Sequence, residues 1–305
     1  MKALIVNKLS KEYKTKKAVD DISFSLETGE VFALLGRNGA GKSTTINMLS
    51  GILTPTSGTI EILNTPYRHM NKIKQRIGVL PDNSNYYNEM TAIQHMKFFA
   101  RVKGVSARKD SLVDLLESVG LGEDLGRKVG QFSLGMRKKL GIAQALIGSP
   151  ELIFLDEPTS TLDVESALQI RQLISTLASQ GITIFMTSHN LEEIERICDR
   201  VAILNHGKIE KMGTLEQLRE AHTRSINITI KYQASDQSQE SLWLDRLQQM
   251  AGAVQCKPPY VEIELDEEEV IPEIVQAAVE CKIRIYSIER ERVSLENIFL
   301  DEKLA

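Results

Sequence analysis

The 305-residue chain is 42% hydrophobic and 26% charged, with a formal net charge of -4. That composition suits one large or two modest globular units with real cores and excludes a disordered or fibrous chain; at this length two domains are expected. The small, intermixed charge speaks against nucleic acid as the main partner, because phosphate-backbone binders concentrate basic residues. Cys198, Cys256 and Cys281 are scattered, odd in number and without CxxC spacing. Neither a disulfide framework nor a zinc site follows, and a reducing cytosol fits. No apolar run approaches the roughly 20 residues of a spanning helix, and "ALIV" after Lys2 is too short for a secretory core. If the chain works at a membrane, a partner must supply the span.

From residue 1 to about 220, apolar strand-like runs alternate with helical ones, the mark of an α/β domain. "VFALLG" (31–36), "LIFLD" (152–156), "ITIFMTS" (182–188) and "VAILN" (201–205) predict buried parallel strands, being apolar nearly throughout. Leu112, Leu115, Leu116 and Val119 recur at helical spacing and stop at Gly120; Ala167, Ile170, Ile174 and Leu177 do the same before Gly181. Residues from about 70 to 145 read as helices without a convincing strand, a helical insert to the sheet. After about residue 222 the texture changes. "SINITIKY", "SLWLDRLQQMAG", "AVQCK", "YVEIELD", "EVIPEIVQAAVEC" and "IRIYSIE" run β-α-β-β-α-β, which predicts a small split βαβ, ferredoxin-like unit. The acidic run Asp266 to Glu269 reads as a solvated turn and helix start. The expected domains are therefore 1–221 and 222–305.

The chemistry begins at "GRNGAGKST", which fits G-x-x-x-x-G-K-[ST] with Gly36, Gly41, Lys42 and Ser43, between a buried strand and a helix. The glycines let successive N–H groups turn inward at a phosphate, and the helix start adds partial positive charge. Lys42 would neutralise the outer phosphates and the Ser43 hydroxyl would complete a Mg²⁺ shell. "LIFLDE" ends a buried strand with two acids. Asp156 is placed to hold Mg²⁺ through water, and Glu157 to orient or deprotonate an attacking water; capping the turn "PTSTLD" is the plainer role. His189 follows the strand "ITIFMTS", where it either caps and packs or donates to a γ-phosphate in the crevice at the strand ends. Tyr13, in the loop expected after the first strand, is either amphipathic surface or a platform for a purine. "GQFSLGMRKKLGIAQAL" (130–146) presents Ser133 before a helix with no acid in its first turn, a second anion-ready helix start.

Together these residues resemble the ATP-binding subunit of an ABC transporter over residues 2 to about 220. Tyr13 takes the adenine-stacking place, "GRNGAGKST" Walker A, "FSLGM" the LSGGQ-type signature, "LIFLDEP" Walker B, "STLD" the D-loop with Asp163, and "TSH" the switch-histidine loop. The resemblance implies a P-loop cassette that hydrolyses ATP with Mg²⁺. Asn38, Gly39, Ala40 and Thr44 would join Gly36, Gly41, Lys42 and Ser43 around the nucleotide; Glu157, His189 and Lys42 would be catalytic. It also implies that Ser133, Leu134 and Gly135 serve the ATP of a second copy or paralogue, so that two sites form only across a dimer. The signature departs from LSGGQ at Leu134 and Met136, and Asp82 stands where the Q-loop glutamine is usual. A carboxylate there would repel a γ-phosphate unless metal lies between, so Asp82 is expected to reach Mg²⁺ through water.

The ending "RVSLENIFLDE" (292–302) resembles the "SLEDVFL" tail of the exporter branch, whose ATP-binding subunits pair with separate membrane subunits. The chain is then expected to be cytoplasmic, peripheral on the inner face of the cell membrane, and bound to a polytopic subunit near Asp82 to Lys103, where Tyr86 and Tyr87 lie. The last domain serves dimer contact, regulation or structure alone. The alternative is a soluble ABC-type ATPase uncoupled from transport; such chains usually carry two cassettes or long heptads, and this one has a single Walker A and no heptads.

Overall fold

The computed structural model describes residues 1–14, 16–82, 85–222, 226–265 and 267–290. It divides into two compact units, Met1–Leu215 and Glu216–Ala305. In chain order the first holds β1 (Lys2–Tyr13), β2 (Lys16–Glu27), β3 (Val31–Leu35), α1 (Lys42–Leu49), β4 (Ser57–Ile62), β5 (Thr65–Pro66), α2 (Met70–Ile73) and β6 (Ile77–Leu80). Then come α3 (Ala92–Val102), α4 (Lys109–Ser118), α5 (Leu134–Ala145), β7 (Leu152–Asp156), α6 (Val164–Ser179) and β8 (Thr183–Ser188). The unit closes with α7 (Leu191–Ile197), β9 (Arg200–Asn205) and β10 (Lys208–Thr214), and α8 (Leu215–His222) starts at the boundary.

The four predicted apolar runs are β3, β7, β8 and β9. They lie in a six-stranded sheet of order β10-β9-β3-β8-β7-β6, parallel except for the β9–β10 hairpin. Every residue of β3, β7 and β8 is buried, as a sheet covered on both faces requires. A second sheet, β2-β1-β4-β5, is antiparallel and packs on the first through Phe24, Phe32 and Phe185, whose rings stack at 5.5 to 5.8 Å. Sequence patterning missed it because β1 and β2 are interrupted. Lys8 and Asp21 have φ of 49° and 55°, and their pairing shifts register at several bulges, so apolar alternation never runs cleanly. Tyr13 accordingly ends β1 instead of lying in a loop beyond it.

The stretch from 70 to 145 is not strand-free. β6 forms the sheet edge beside β7, and its four residues carry a glycine, which reads as a breaker. Gly78 is there for space: a Cβ would sit 2.2 Å from the carbonyl oxygen of Ala145, at the end of α5. The rest is helical as expected, with Leu112, Leu116 and Val119 buried.

His95 on α3 is fully buried, with Nε2 2.9 Å from Gln144 Oε1 and its ring against Tyr86 and Phe99. Burial holds its pKa below the usual range, opposed by the Gln144 bond. The folded state therefore resists a proton that the unfolded chain accepts. The stability involved is present above the unfolded pKa of about 6.5 and is lost as pH falls through the folded value. Tm recorded from about pH 7.5 to about pH 5 is expected to fall less steeply in His95→Gln than in wild type. Parallel curves would exclude this origin.

The second unit holds β11 (Ile226–Gln233), α9 (Gln237–Met250), β12 (Ala253–Lys257), β13 (Tyr260–Leu265), α10 (Val270–Glu280) and β14 (Arg284–Arg290). The predicted β-α-β-β-α-β order is present, and the antiparallel sheet runs β12-β13-β11-β14. Trp243 and Leu247 of α9 and Ile274, Ala277 and Ala278 of α10 cover one face with Ile228, Ile230, Val261 and Ile263. Glu267, Glu268 and Glu269 are exposed, in line with a solvated turn. Asp266 and the tail 292–302 lie outside the described residues. Among those, no helix is long and apolar enough to cross a membrane.

Candidate active site

The predicted residues converge at the carboxyl ends of β3, β7 and β8, where an open parallel sheet leaves a crevice. The loop after β3 wraps into α1, whose N-cap is Gly41 with φ 115°. A Cβ there would lie 2.4 Å from the carbonyl oxygen of Ala18 on β2, so both the conformation and the close approach of the antiparallel sheet demand glycine. Lys42 is nearly buried. Its ammonium donates to the carbonyl oxygens of Gly36 (2.6 Å) and Arg37 (3.3 Å) and pairs with Glu157 Oε1 at 3.1 Å.

Glu157 follows the last residue of β7 and is held from two sides. His189 Nδ1 lies 2.7 Å from its Oε2, and its backbone N–H donates to Thr187 Oγ1 at 3.0 Å. The turn carrying His189 is anchored by Ser188, whose hydroxyl donates to buried Glu193 at 2.6 Å. A carboxylate fixed between an ammonium and an imidazole can orient a water and take its proton.

Asp156, at the end of β7, accepts from Thr187 Oγ1 at 2.6 Å and from Ser43 Oγ at 3.4 Å. Burial pushes its carboxyl above the usual range, with Thr187 and Ser43 pulling the other way. A hydroxyl and a carboxylate side by side, with a lysine opposite, are the hard oxygen donors and phosphate partner that Mg²⁺ and a nucleotide require, so the residues fit both. No cluster of three or more His, Cys, Asp or Glu side chains among the described residues forms a metal cage, and a Mg²⁺ of this kind draws its other ligands from water and phosphate.

A cleft of about 620 Å³ is lined by Tyr13, Arg37, Asn38, Gly39, Gly41, Lys42, Ser43, Thr44, Glu157 and His189. Gly36 and Ala40 support the loop from beneath, Ala40 accepting from the N–H of Gly207 at 3.0 Å. Asp82 and Leu134 also reach the cleft. Ser133, Gly135 and Asp163 do not line it. Ser133 is the N-cap of α5, accepting from the N–H of Met136 at 3.2 Å, and Gly135 sits in that helix's first turn. Leu134 opens the helix with ordinary backbone. Asp163 is likewise the N-cap of α6, and the bonds from Ser166 hold its carboxyl below the usual range.

Three residues escaped sequence reasoning. Thr187 bridges Asp156 and Glu157, and its sequence signal is a small polar residue two positions before His189 at the end of an apolar strand. The Ser160 hydroxyl lies 3.2 Å from Asp82 Oδ1 and 3.0 Å from the Glu157 carbonyl oxygen, its one proton shared between the two acceptors. Lys138 is buried on α5, and its signal was a lysine three residues after Gly135 and four before Ile142, both on the inward face.

Comparison with known proteins agrees with this geometry. The ABC transporter family matches residues 19–160, and the C-terminal domain of ATP-binding protein DrrA1-3-like matches residues 213–302. The bacitracin transport ATP-binding protein BcrA of Bacillus licheniformis is 39% identical over 78% of this chain and 77% of its own length. The linearmycin resistance ATP-binding protein LnrL of Bacillus subtilis is 33% identical over 96% of each chain. A solved ATP-binding subunit of an ABC transporter superposes with TM-score 0.64 at 30% identity, over 72% of this chain and 93% of that one. The chain belongs to the ATP-binding subunits of ABC transporters and is an ATPase of that family.

Proposed function

We propose that the chain powers a membrane exporter by closing as a pair around ATP and reopening after hydrolysis, with a separate polytopic subunit carrying the cargo. The observation that carries the hydrolytic half is the Lys42–Glu157–His189 constellation beside Ser43 and Asp156. Lys42 and the loop N–H groups bind the phosphates. Glu157 takes the proton of the attacking water, and His189 orients Glu157 and the terminal phosphate. Ser43 and Asp156 would hold Mg²⁺, which would supply charge neutralisation at the phosphates. Ser133, Leu134 and Gly135 close over the nucleotide of the other copy.

The exporter half is supported by the names of relatives, one of which, LnrL, covers 96% of this chain. Their names concern bacitracin transport and linearmycin resistance, and a third, from Rhizobium sp. (strain N33), is a Nod factor export protein 38% identical over 70% of this chain. The membrane partner docks beside α3, where exposed Tyr87 stacks edge-on against Phe98 at 5.1 Å and Val102 is exposed. The chain then sits on the inner membrane face. The test is reconstitution with the polytopic protein recovered alongside it from native membranes. Vesicles holding both are expected to hydrolyse ATP several-fold faster than the chain alone, the size of a modest coupling free energy of about 1 kcal/mol. An unchanged rate, or recovery with ribosomes instead, would favour a soluble ATPase.

A further inference from the structure

Lys138 does no work in the chemistry above, yet its surroundings are built. Its ammonium is buried, donating to the carbonyl oxygen of Glu157 at 2.9 Å and to that of Asp82 at 3.3 Å, and it lies 3.7 Å from Asp82 Oδ1. Glu157 has φ 48°, a region a non-glycine residue keeps only when its surroundings hold it there. Its N–H donates to Thr187, and its carbonyl oxygen accepts from Lys138 and from the N–H and hydroxyl of Ser160. A peptide fixed at both ends sets the direction of the side chain between them.

The same ammonium explains Asp82. A carboxylate lining a phosphate cleft is unfavourable unless balanced, and a buried lysine is costly unless paired. Burial pushes the Lys138 pKa down while Asp82 pulls it back up. Each residue makes the other tolerable. Lys138 is also one turn beyond Leu134 on the helix that Ser133 caps.

The geometry points to Lys138 as a positioning residue for hydrolysis: it fixes the Glu157 main chain, balances Asp82, and ties both to the helix headed by the signature loop. This rests on Glu157 being the residue that activates water. The signature helix, which faces the other copy's nucleotide, is thereby fastened to the chain's own hydrolytic acid.

The test compares Lys138→Met, Lys138→Gln, Asp82→Gln and the double variant Asp82→Gln/Lys138→Gln in the full chain. It uses steady-state hydrolysis and binding of a fluorescent ATP analogue. Lys138→Met is expected to lower kcat about tenfold or more, while KM and analogue affinity stay within about twofold, since the aim of the acid that activates water is lost while the phosphate loop keeps its own bonds. The double variant, with two neutral amides able to bond each other and the Glu157 carbonyl, is expected to recover to within about threefold of wild type and to exceed Lys138→Gln alone. An unchanged kcat in Lys138→Met, loss of analogue binding, or a double variant no better than Lys138→Gln would overturn the inference. Wild-type hydrolysis by Glu157→Gln would instead overturn the reading of Glu157 on which it rests.

Discussion

Replacing Glu157 by glutamine is expected to cut steady-state ATP hydrolysis by roughly 10²- to 10⁴-fold, the range that loss of a general base costs, while nucleotide still binds. The two effects separate because the phosphate loop does not depend on the Glu157 carboxylate for its shape. Lys42 keeps its bonds to the Gly36 and Arg37 carbonyl oxygens when its 3.1 Å pair with Glu157 is weakened. Glutamine is nearly isosteric and retains an oxygen for His189, so the turn after β7 keeps its bonds through Thr187, Lys138 and Ser160. What disappears is the capacity to accept a proton. In a pair held closed by ATP and released by hydrolysis, the variant is expected to elute as a dimer with Mg-ATP and as a monomer with ADP. Light scattering after gel filtration reads this directly, and a monomer in both nucleotides would count against closure by ATP.

How much of this was open to the sequence follows from the length scale of each signal. The phosphate loop, the Walker B acids and His189 are each a contiguous motif at the end of a wholly buried strand, and such strands are recognised by unbroken apolar composition. The C-terminal unit was legible for a related reason: its two central strands alternate, as in β13, where Tyr260, Glu262 and Glu264 face out and Val261, Ile263 and Leu265 face in. What failed to show was pairing between distant segments. β1 and β2 hide behind bulges, and β6 behind Gly78, whose reason is the Ala145 carbonyl oxygen far along the chain. Lys138 was hidden similarly, since nothing local says that its ammonium meets Asp82 and Glu157.

The proposed division of labour between copies gives the second large effect. Ser133→Arg is expected to abolish hydrolysis, by roughly 10²-fold or more, while ATP affinity of the isolated chain stays within about twofold. Ser133 does not line the chain's own cleft, so its loss leaves the phosphate loop untouched. Within its own chain Ser133 only caps α5, and losing that bond costs about 1 kcal/mol of local stability. Ser133→Ala, which removes the cap without adding bulk or charge, isolates that small term and should leave the fold intact. The decisive measurement mixes two inactive variants. A pair built from one Lys42→Ala chain and one Ser133→Arg chain gathers both lesions into a single site: the damaged phosphate loop faces the damaged signature. The other site then joins an intact loop to an intact signature. Random mixing at equal concentration is therefore expected to restore up to about a quarter of the wild-type rate, because half the pairs are mixed and each carries one working site. Variants that stay silent in the mixture would count against complementation across the pair, and with it against Ser133 serving the nucleotide of the other copy.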